Sequence, residues 1–537
     1  MSPNSPGTLY LGGQFLFRSR DRGESWERIS PDLTTNDPAK QKQEESGGLT
    51  VDNSDAEKYE TIFAISESPK EAKVIWAGTD DGNVQVTRDG GKTWSNVVRN
   101  IPALPPNTWV TGIEASHHDP ATAYATFDGH NAGDMKTYVY KTTDYGKTWK
   151  SIATPDLKGY AHVVREDLVS PDLLFVGTEF GLFLTVDGGA HWAEFTGHFP
   201  HVAVRDVAIH PRDADLIIAT HGRGIYILDD ITPLRQITPP ILAQDAALLQ
   251  PRPAQLRLLA TEQRFDGDAE FLAPNPGEGA PIVYYQKKRH IFGDLRLEVY
   301  DSKGEIVTTV AASKQRGLNR VEWPMRLTPP KMPPAAGIVE EPYSLYGPRA
   351  PEGTYTVKLI KNKQTLTTQL QLVADPRSKS TTEDRALQYQ TAMQLYHMLE
   401  QMTYVVDALV DLRDRAAQRA ASLPPSSAAR KQLETLAKSL EDFRSTLVAV
   451  KEGGQITGER KLRENLGELY GGVNGYEGRP TQSQLERMAV LGKQLDAATA
   501  RFQSIATQQL QTINAALQQE KQEPLAVMTK EEWTKKR

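Results

Sequence analysis

The sequence predicts a mainly β N-terminal part built of repeated sheet units, followed by a small two-sheet β module and then by antiparallel helices. Three observations carry this prediction. One pattern occurs four times, at residues 19–26, 87–94, 142–149 and 185–192: hydroxyl residue, any, Asp, any, Gly, any, variable, Trp. An internal repeat at spacings of about 43 to 68 residues decides a fold before any other signal. Over residues 281–377 apolar and polar residues alternate with a period of two between turn residues. Beyond residue 378 the composition shifts to Ala, Gln, Leu, Glu and Lys, and apolar positions recur every three or four residues.

The repeat has the chemistry of a turn between two strands. Its aspartate can accept hydrogen bonds from nearby backbone N–H groups, and the glycine two residues later takes positive φ at no steric cost. The tryptophan is a large apolar body suited to the seam between neighbouring sheets. Asp21, Gly23 and Trp26, Asp89, Gly91 and Trp94, Asp144, Gly146 and Trp149, and Asp187, Gly189 and Trp192 are therefore read as structural, not catalytic. His191 stands where the other copies have Ser or Thr, which predicts a looser fourth turn. The pattern resembles the Asp-box, or BNR repeat, of the four-stranded blades in the β-propellers of sialidases, xyloglucanases and the sortilin luminal domain. That resemblance implies a partial Asp-box β-propeller of about four and a half blades over residues 1–233, each turn closing the third strand onto the fourth.

Composition narrows the function classes. The chain has 537 residues and a net charge of −6; its length suggests about three domains. Mild acidity supplies no electrostatic reason to bind nucleic acid or an anionic membrane. The absence of cysteine excludes disulfides and thiolate zinc sites. No run of about 18 apolar residues exists, so no membrane span is expected. Residues 1–6 lack the basic and apolar regions of a signal peptide.

In chain order, residues 8–29 give two or three short strands around the first repeat, and residues 31–48 read as a long exposed polar loop. Three fuller units follow, each an apolar strand ending near a proline, a second strand ending in Gly or an acidic turn, a third strand, then the repeat. A last unit, RDVAIHP, LIIATHGRG, IYILDDITP, lacks the repeat. The order of repeats, the stretch RSRDRGESWERISPDLTTNDPAKQ and the closing ATHGRGIYILDD resemble the C-terminal half of large bacterial sortilin-like or glycosyl-hydrolase-like BNR-repeat proteins. This resemblance implies a periplasmic or secreted setting and a ring completed by another chain or by an N-terminal half. Residues 234–280 read as a Pro/Ala-rich linker with a short strand. Residues 281–377 read as an immunoglobulin-like β-sandwich with a proline-stiffened loop at 329–351. Residues 378–537 read as a helical bundle with a polar tail. Ser380 to Glu383 reads as the capping box of its first helix, and residues 471–478 as a Gly-rich loop.

Candidate chemistry sits on the face opposite the repeats, at the turns between second and third strands. These turns carry Asp80 and Asp81, Asp128 and His130, Glu179 and Phe180, and His221 and Arg223, an inventory suited to a sugar or peptide ligand. Glycoside hydrolysis needs two carboxyl groups roughly 5 to 10 Å apart. Asp80 or Asp81, Asp128 and Glu179 are the acids at these turns, with Asp128 and Glu179 the catalytic candidates. A sialidase needs an arginine cluster for its substrate carboxylate, and Arg223 is the one arginine here. His117, His118 and Asp119 fall in a solvated turn, and neither a metal nor a cofactor is expected. The reading is a non-catalytic scaffold that binds a glycan or polypeptide on that face; the alternative is a BNR-type glycoside hydrolase using a carboxylate pair.

Overall fold

The computed structural model describes residues 1–42, 59–258, 277–334, 336, 342–453 and 457–535. Parts of the 31–48 loop, the 234–280 linker and the 329–351 loop lie outside the described residues. The chain divides into two compact units, residues 1–246 and 247–537.

The first unit is mainly β and, among its described residues, holds five small antiparallel sheets in chain order. The first sheet comprises Leu9–Gly12, Leu16–Ser19 and Glu27–Arg28. The second comprises Ile62–Glu67, Ile75–Thr79, Val84–Thr87 and Ser95–Asn96, and the third Trp109–Ala115, Ala123–Gly129, Asp134–Thr142 and Lys150–Ser151. The fourth comprises Ala161–Glu166, Leu174–Thr178, Gly181–Thr185 and Ala193–Glu194, and the fifth Val204–Ile209, Leu216–Thr220 and Ile225–Leu228. Each sheet is a meander, and its first strand touches the first strand of the next sheet.

The second strands IWAGT, AYATFDG and LFVGT are buried at every position, because each interior sheet is covered on both faces. Alternate side chains then serve different seams. Leu174, Val176 and Phe183 pack back onto Tyr124 and Val139 of the third sheet. Phe175 and Leu182 pack forward onto Val204, Leu216 and Ile218 of the fifth.

Each repeat folds into one hydrogen-bonded turn between third and fourth strand positions. Asp89 accepts from the Thr93 N–H at 2.9 Å, the Thr93 hydroxyl at 2.7 Å and the Thr87 hydroxyl at 2.8 Å. Asp21 and Asp144 make the same set. In the fourth copy a looser turn is the expectation, but the His191 ring places Nδ1 2.7 Å from Asp187 and takes the place of the missing hydroxyl. The turn also docks onto the preceding sheet. A Cβ on Gly91, Gly146 or Gly189 would lie 2.5 Å from the Ile29 carbonyl oxygen, 2.8 Å from Val97 Cγ2 or 2.9 Å from Ile152 Cβ. Trp94 and Trp192 donate to the Ile29 and Ile152 carbonyls at 3.1 and 2.8 Å.

In the second unit, Ala280–Gln286 pairs with Gly317–Trp323, and a five-stranded sheet has the order Ala254–Leu256, Gln364–Ala374, Gly353–Lys361, Leu295–Tyr300, Ile306–Ala311. Ile282, Tyr284, Trp323, Leu297, Val357 and Leu370 form one core between them. The C-terminal region is helical. The first long helix, Thr382–Ser422, is capped by Thr381 with Asp384 as its reciprocal partner, one residue beyond the expected Ser380 and Glu383 pair. Gly471 and Gly472, read in sequence as loop, lie inside the helix Leu462–Asn474. Buried Leu466, Tyr470 and Val473 hold that helix, and Asn474 Nδ2 donates to the carbonyls of Tyr343 and Tyr346 at 3.0 and 3.1 Å. Tertiary packing here overrides the poor helix propensity of glycine. Among the described residues, no helix is long and apolar enough to cross a membrane.

Candidate functional site

In every sheet from the second to the fifth, the first strand begins beside the end of the second. Ile62 pairs with Thr79, Trp109 with Asp128, Ala161 with Thr178 and Val204 with Thr220. The starts of the first strands therefore share one end of the sheets with the turns between second and third strands, opposite the Asp turns. The register slips at that end in all four sheets, leaving Phe63, Thr111, His162 and Arg205 out of the pairing. A bulge of this kind frees one residue from the ladder and re-aims its side chain. Each of the four reaches a neighbour. The exposed Phe63 ring stands edge-on to Trp109 at 4.7 Å. Thr111 donates to the Ala161 carbonyl at 2.9 Å. Arg205 Nη1 lies 3.3 Å from His162 Nδ1.

Around His162 a polar and aromatic cluster is assembled. His162 Nε2 lies 3.0 Å from Glu179 Oε2, and Arg205 Nη2 lies 3.6 Å from the same oxygen. The Tyr160 ring meets His162 edge-on at 5.2 Å and stacks on the His130 ring at 4.6 Å. Asp128 accepts from the His130 N–H at 2.8 Å and lies 2.7 Å from His130 Nδ1.

Burial raises the Glu179 carboxyl, but hydrogen bonding by His162 and Tyr160 and the Arg205 charge outweigh it and hold the acid below its ordinary value. Burial pushes His162 down, helped by Arg205 and opposed by Glu179, so its ring is neutral at neutral pH. Burial and then the Glu179 charge raise the Tyr160 phenol, which keeps its proton. The cluster thus presents an ionised carboxylate, a guanidinium, a phenol and a ring stack side by side.

The structure brings Asp128, His130 and Glu179 into this cluster, and the exposed Phe180 ring lies against Gly159 next to it. Asp128 is buried beneath His130, whereas Glu179 is partly open to solvent. Asp80 and Asp81 are engaged elsewhere. Asp80 accepts from the Thr61 N–H and hydroxyl at 2.8 and 3.0 Å, and Asp81 is buried and takes the Thr79 hydroxyl and the Thr35 N–H. His221 and Arg223 stand exposed on the turn of the fifth sheet. His117 and His118 do not meet each other at a common point: His117 lies 3.2 Å from Glu114, and His118 lies 2.9 Å from the Asp167 carbonyl.

Reading turns alone misses Phe63, Trp109, Tyr160, His162 and Arg205, all at or just before the start of a first strand. The meander topology puts those positions at the same end as the turns, a signal the strand order already carried. In the second unit a groove of about 1020 Å³ is lined by Tyr355, Tyr389 and Tyr396. Among its lining residues, Asp301 accepts from the backbone N–H groups of Lys303 and Glu305, and the Lys331 ammonium lies over the Trp533 ring.

No protein-family profile matches the chain. It is 22% identical over 260 residues to an oligoxyloglucan-reducing end-specific xyloglucanase of Emericella nidulans, covering 43% of this chain and 31% of that protein. It is 26% identical over 214 residues to xyloglucanase Xgh74A of Acetivibrio thermocellus, covering 36% of this chain and 24% of that protein. The chain spans about a quarter to a third of the length of these curated relatives. Among solved structures, an ancestral GH74 enzyme is similar with a TM-score of 0.33 at 12% identity, over 69% of this chain and 45% of that one. YCF48 bound to D1 peptide is similar with a TM-score of 0.27 at 19% identity, over 41% of this chain and 61% of that one.

Proposed function

We propose that the five N-terminal sheets are blades of a glycoside-hydrolase-like propeller, that the paired sheets of the second unit form a β-sandwich, and that the blade end bearing Tyr160 engages a neutral glycan. The observation that carries the ligand reading is the Tyr160 and His130 ring stack flanked by Glu179, His162 and Arg205. Sugar rings present apolar C–H faces to aromatic rings and hydroxyls to charged acceptors and donors, and this cluster offers both within one patch. The xyloglucanase names of two relatives supply the class to try first, a xyloglucan-type β-glucan. A peptide ligand is the competing occupant.

The relatives' names favour a second reading, in which the bound glycan is cleaved. Hydrolysis needs one carboxyl that is protonated and one that is ionised. Glu179 fits the ionised role, and Asp128 is the remaining acid of the cluster, although His130 covers it.

The test is calorimetric titration with xyloglucan oligosaccharides, run beside an assay for new reducing ends. Tyr160→Ala should weaken binding by at least about tenfold, the loss expected for a central aromatic contact. Glu179→Gln should abolish any release of reducing ends. Binding that is unchanged in Tyr160→Ala, or saturable only with peptides, overturns the glycan reading. Hydrolysis that survives Glu179→Gln overturns the second.

A further inference from the structure

Three loops meet at one end of the sheets of the second unit. Residues 287–294 join Ala280–Gln286 to Leu295–Tyr300, residues 312–316 join Ile306–Ala311 to Gly317–Trp323, and residues 362–363 join Gly353–Lys361 to Gln364–Ala374. The loops are tied to one another. The buried His290 donates its N–H to the Lys314 carbonyl at 2.9 Å, and its ring Nε2 lies 3.2 Å from the Gly293 carbonyl. Asn362 donates its N–H to the Asp294 carbonyl at 2.9 Å. Gly293 has φ +90°, and a Cβ there would strike the Asn362 side chain, so the turn needs glycine. This frame turns Ile291 and Phe292 outward. They are 66% and 85% exposed, and after Met1 Phe292 is the most exposed large apolar residue among the described residues. The same loops carry Lys287, Lys288, Arg289, Lys314, Arg316 and Lys363 against Asp294, whose carboxylate is paired with Arg296. The net charge of −6 is an average over the chain, and this end is locally basic.

We propose that this end of the second unit docks on the surface of an anionic phospholipid bilayer, with Ile291 and Phe292 entering the headgroup region and the surrounding cations meeting lipid phosphates. Charge and shape together select that occupant. A nucleic acid or an acidic polysaccharide would satisfy the cations but leave the protruding apolar pair in water. A bilayer takes up both: apolar side chains enter the boundary between headgroups and acyl chains, and each nearby Lys or Arg adds attraction to an anionic surface. The hydrogen bonds that tie the loops hold the tip in shape beforehand, which lowers the ordering cost of docking. The contact is peripheral and needs no spanning segment. It lies in the second unit and takes no part in the glycan reading.

The experiment is co-sedimentation of the full chain with phosphatidylcholine vesicles that contain either no anionic lipid or about one third phosphatidylglycerol. The parent should pellet with the anionic vesicles and not with the neutral ones, and more weakly at about 1 M salt, where charges are screened within ~3 Å. Replacing both Lys288→Gln and Arg289→Gln should weaken binding roughly 30-fold, the effect of two cations beside an anionic surface. Phe292→Ser should weaken it at least about tenfold. These side chains are exposed, so the variants should fold, which near-UV circular dichroism checks. The chain has no cysteine, so Ile291→Cys can carry a single environment-sensitive dye. Its emission should shift to the blue on anionic vesicles, whereas the same dye on Ser302→Cys, in the turn at the other end of the strand Leu295–Tyr300, should not respond. A parent that stays in solution with anionic vesicles overturns the proposal, whether or not it captures a nucleic acid or a peptide. So does binding that either variant leaves unchanged, or a dye at position 291 that stays silent, the outcome for purely electrostatic adhesion.

Discussion

Replacing Trp192 by alanine should unfold the N-terminal unit far more readily than replacing Trp26, although the two residues occupy the same position of the repeat. Trp192 is 6% exposed and packs among Ile152, Val164 and Phe183. Its indole N–H also donates to the Ile152 carbonyl at 2.8 Å. A fully buried tryptophan removes about 200 Å² from water, worth roughly 5 kcal/mol at 25 cal/mol per Å², and measured truncations of buried Trp and Phe cost about 3 to 5 kcal/mol. The lost hydrogen bond strands a carbonyl and adds about 1 kcal/mol. Trp26 is 41% exposed, so truncation there should cost about 1 kcal/mol or less. Urea unfolding followed by tryptophan fluorescence and circular dichroism separates the two, with midpoints compared at equal slope. Similar losses for both variants would refute the view that the repeat works by docking on the sheet before it.

Arg235 holds the fully buried Asp167 carboxylate with two nitrogens, Nε at 2.9 Å and Nη2 at 2.9 Å. Removing one partner of a buried pair costs roughly 3 to 5 kcal/mol, so Arg235→Ala should lower the thermal midpoint of the first unit in scanning calorimetry, and Arg235→Lys should recover only part of it. The turn carboxylates predict an acid limb. Hydrogen bonds from Ser25 hold Asp21 near a pKa of about 2, those from Thr93 hold Asp89 well below its ordinary value, and Asp144 and Asp187 are also lowered, their turn hydrogen bonds outweighing burial. Since the folded values lie below the unfolded one near 3.8, the stabilisation is complete above pH 4 and drains away as pH falls toward about 2. A potentiometric titration should show proton uptake coupled to loss of near-UV signal in that window, and Asp144→Asn should raise the pH at which the signal is lost.

The repeat made the N-terminal part legible because its chemistry is local: a hydroxyl, an aspartate and a glycine within five residues specify one turn. The helices were legible for the same reason, through stripes such as Leu395, Leu399 and Met402. What escaped was set by contacts distant in sequence. The helix at Leu462–Asn474 forms because Tyr470 and Asn474 meet the carbonyl groups of residues 343–347, a partnership that no local pattern of glycines announces. The candidate site was half legible. The turns facing away from the repeats place Asp128, His130 and Glu179 in one cluster, but Asp80 and Asp81 look identical in sequence and are tied into their own sheet by Thr61 and Thr79. His162 and Arg205 could be placed only once two adjacent strands were known to slip register at the same point.

The shared slip at Phe63, Thr111, His162 and Arg205 separates what the sheet needs from what its surface says. None of these residues carries a rung of its ladder, so the backbone tolerates an aromatic ring, a hydroxyl, an imidazole and a guanidinium in one and the same frame. Four of the sheets thus hold one slip of common geometry with different contents. Phe63 and Arg205 are the members of this row open to solvent, where exchanges would rewrite the surface, whereas Thr111 is bonded to the next sheet and His162 is buried.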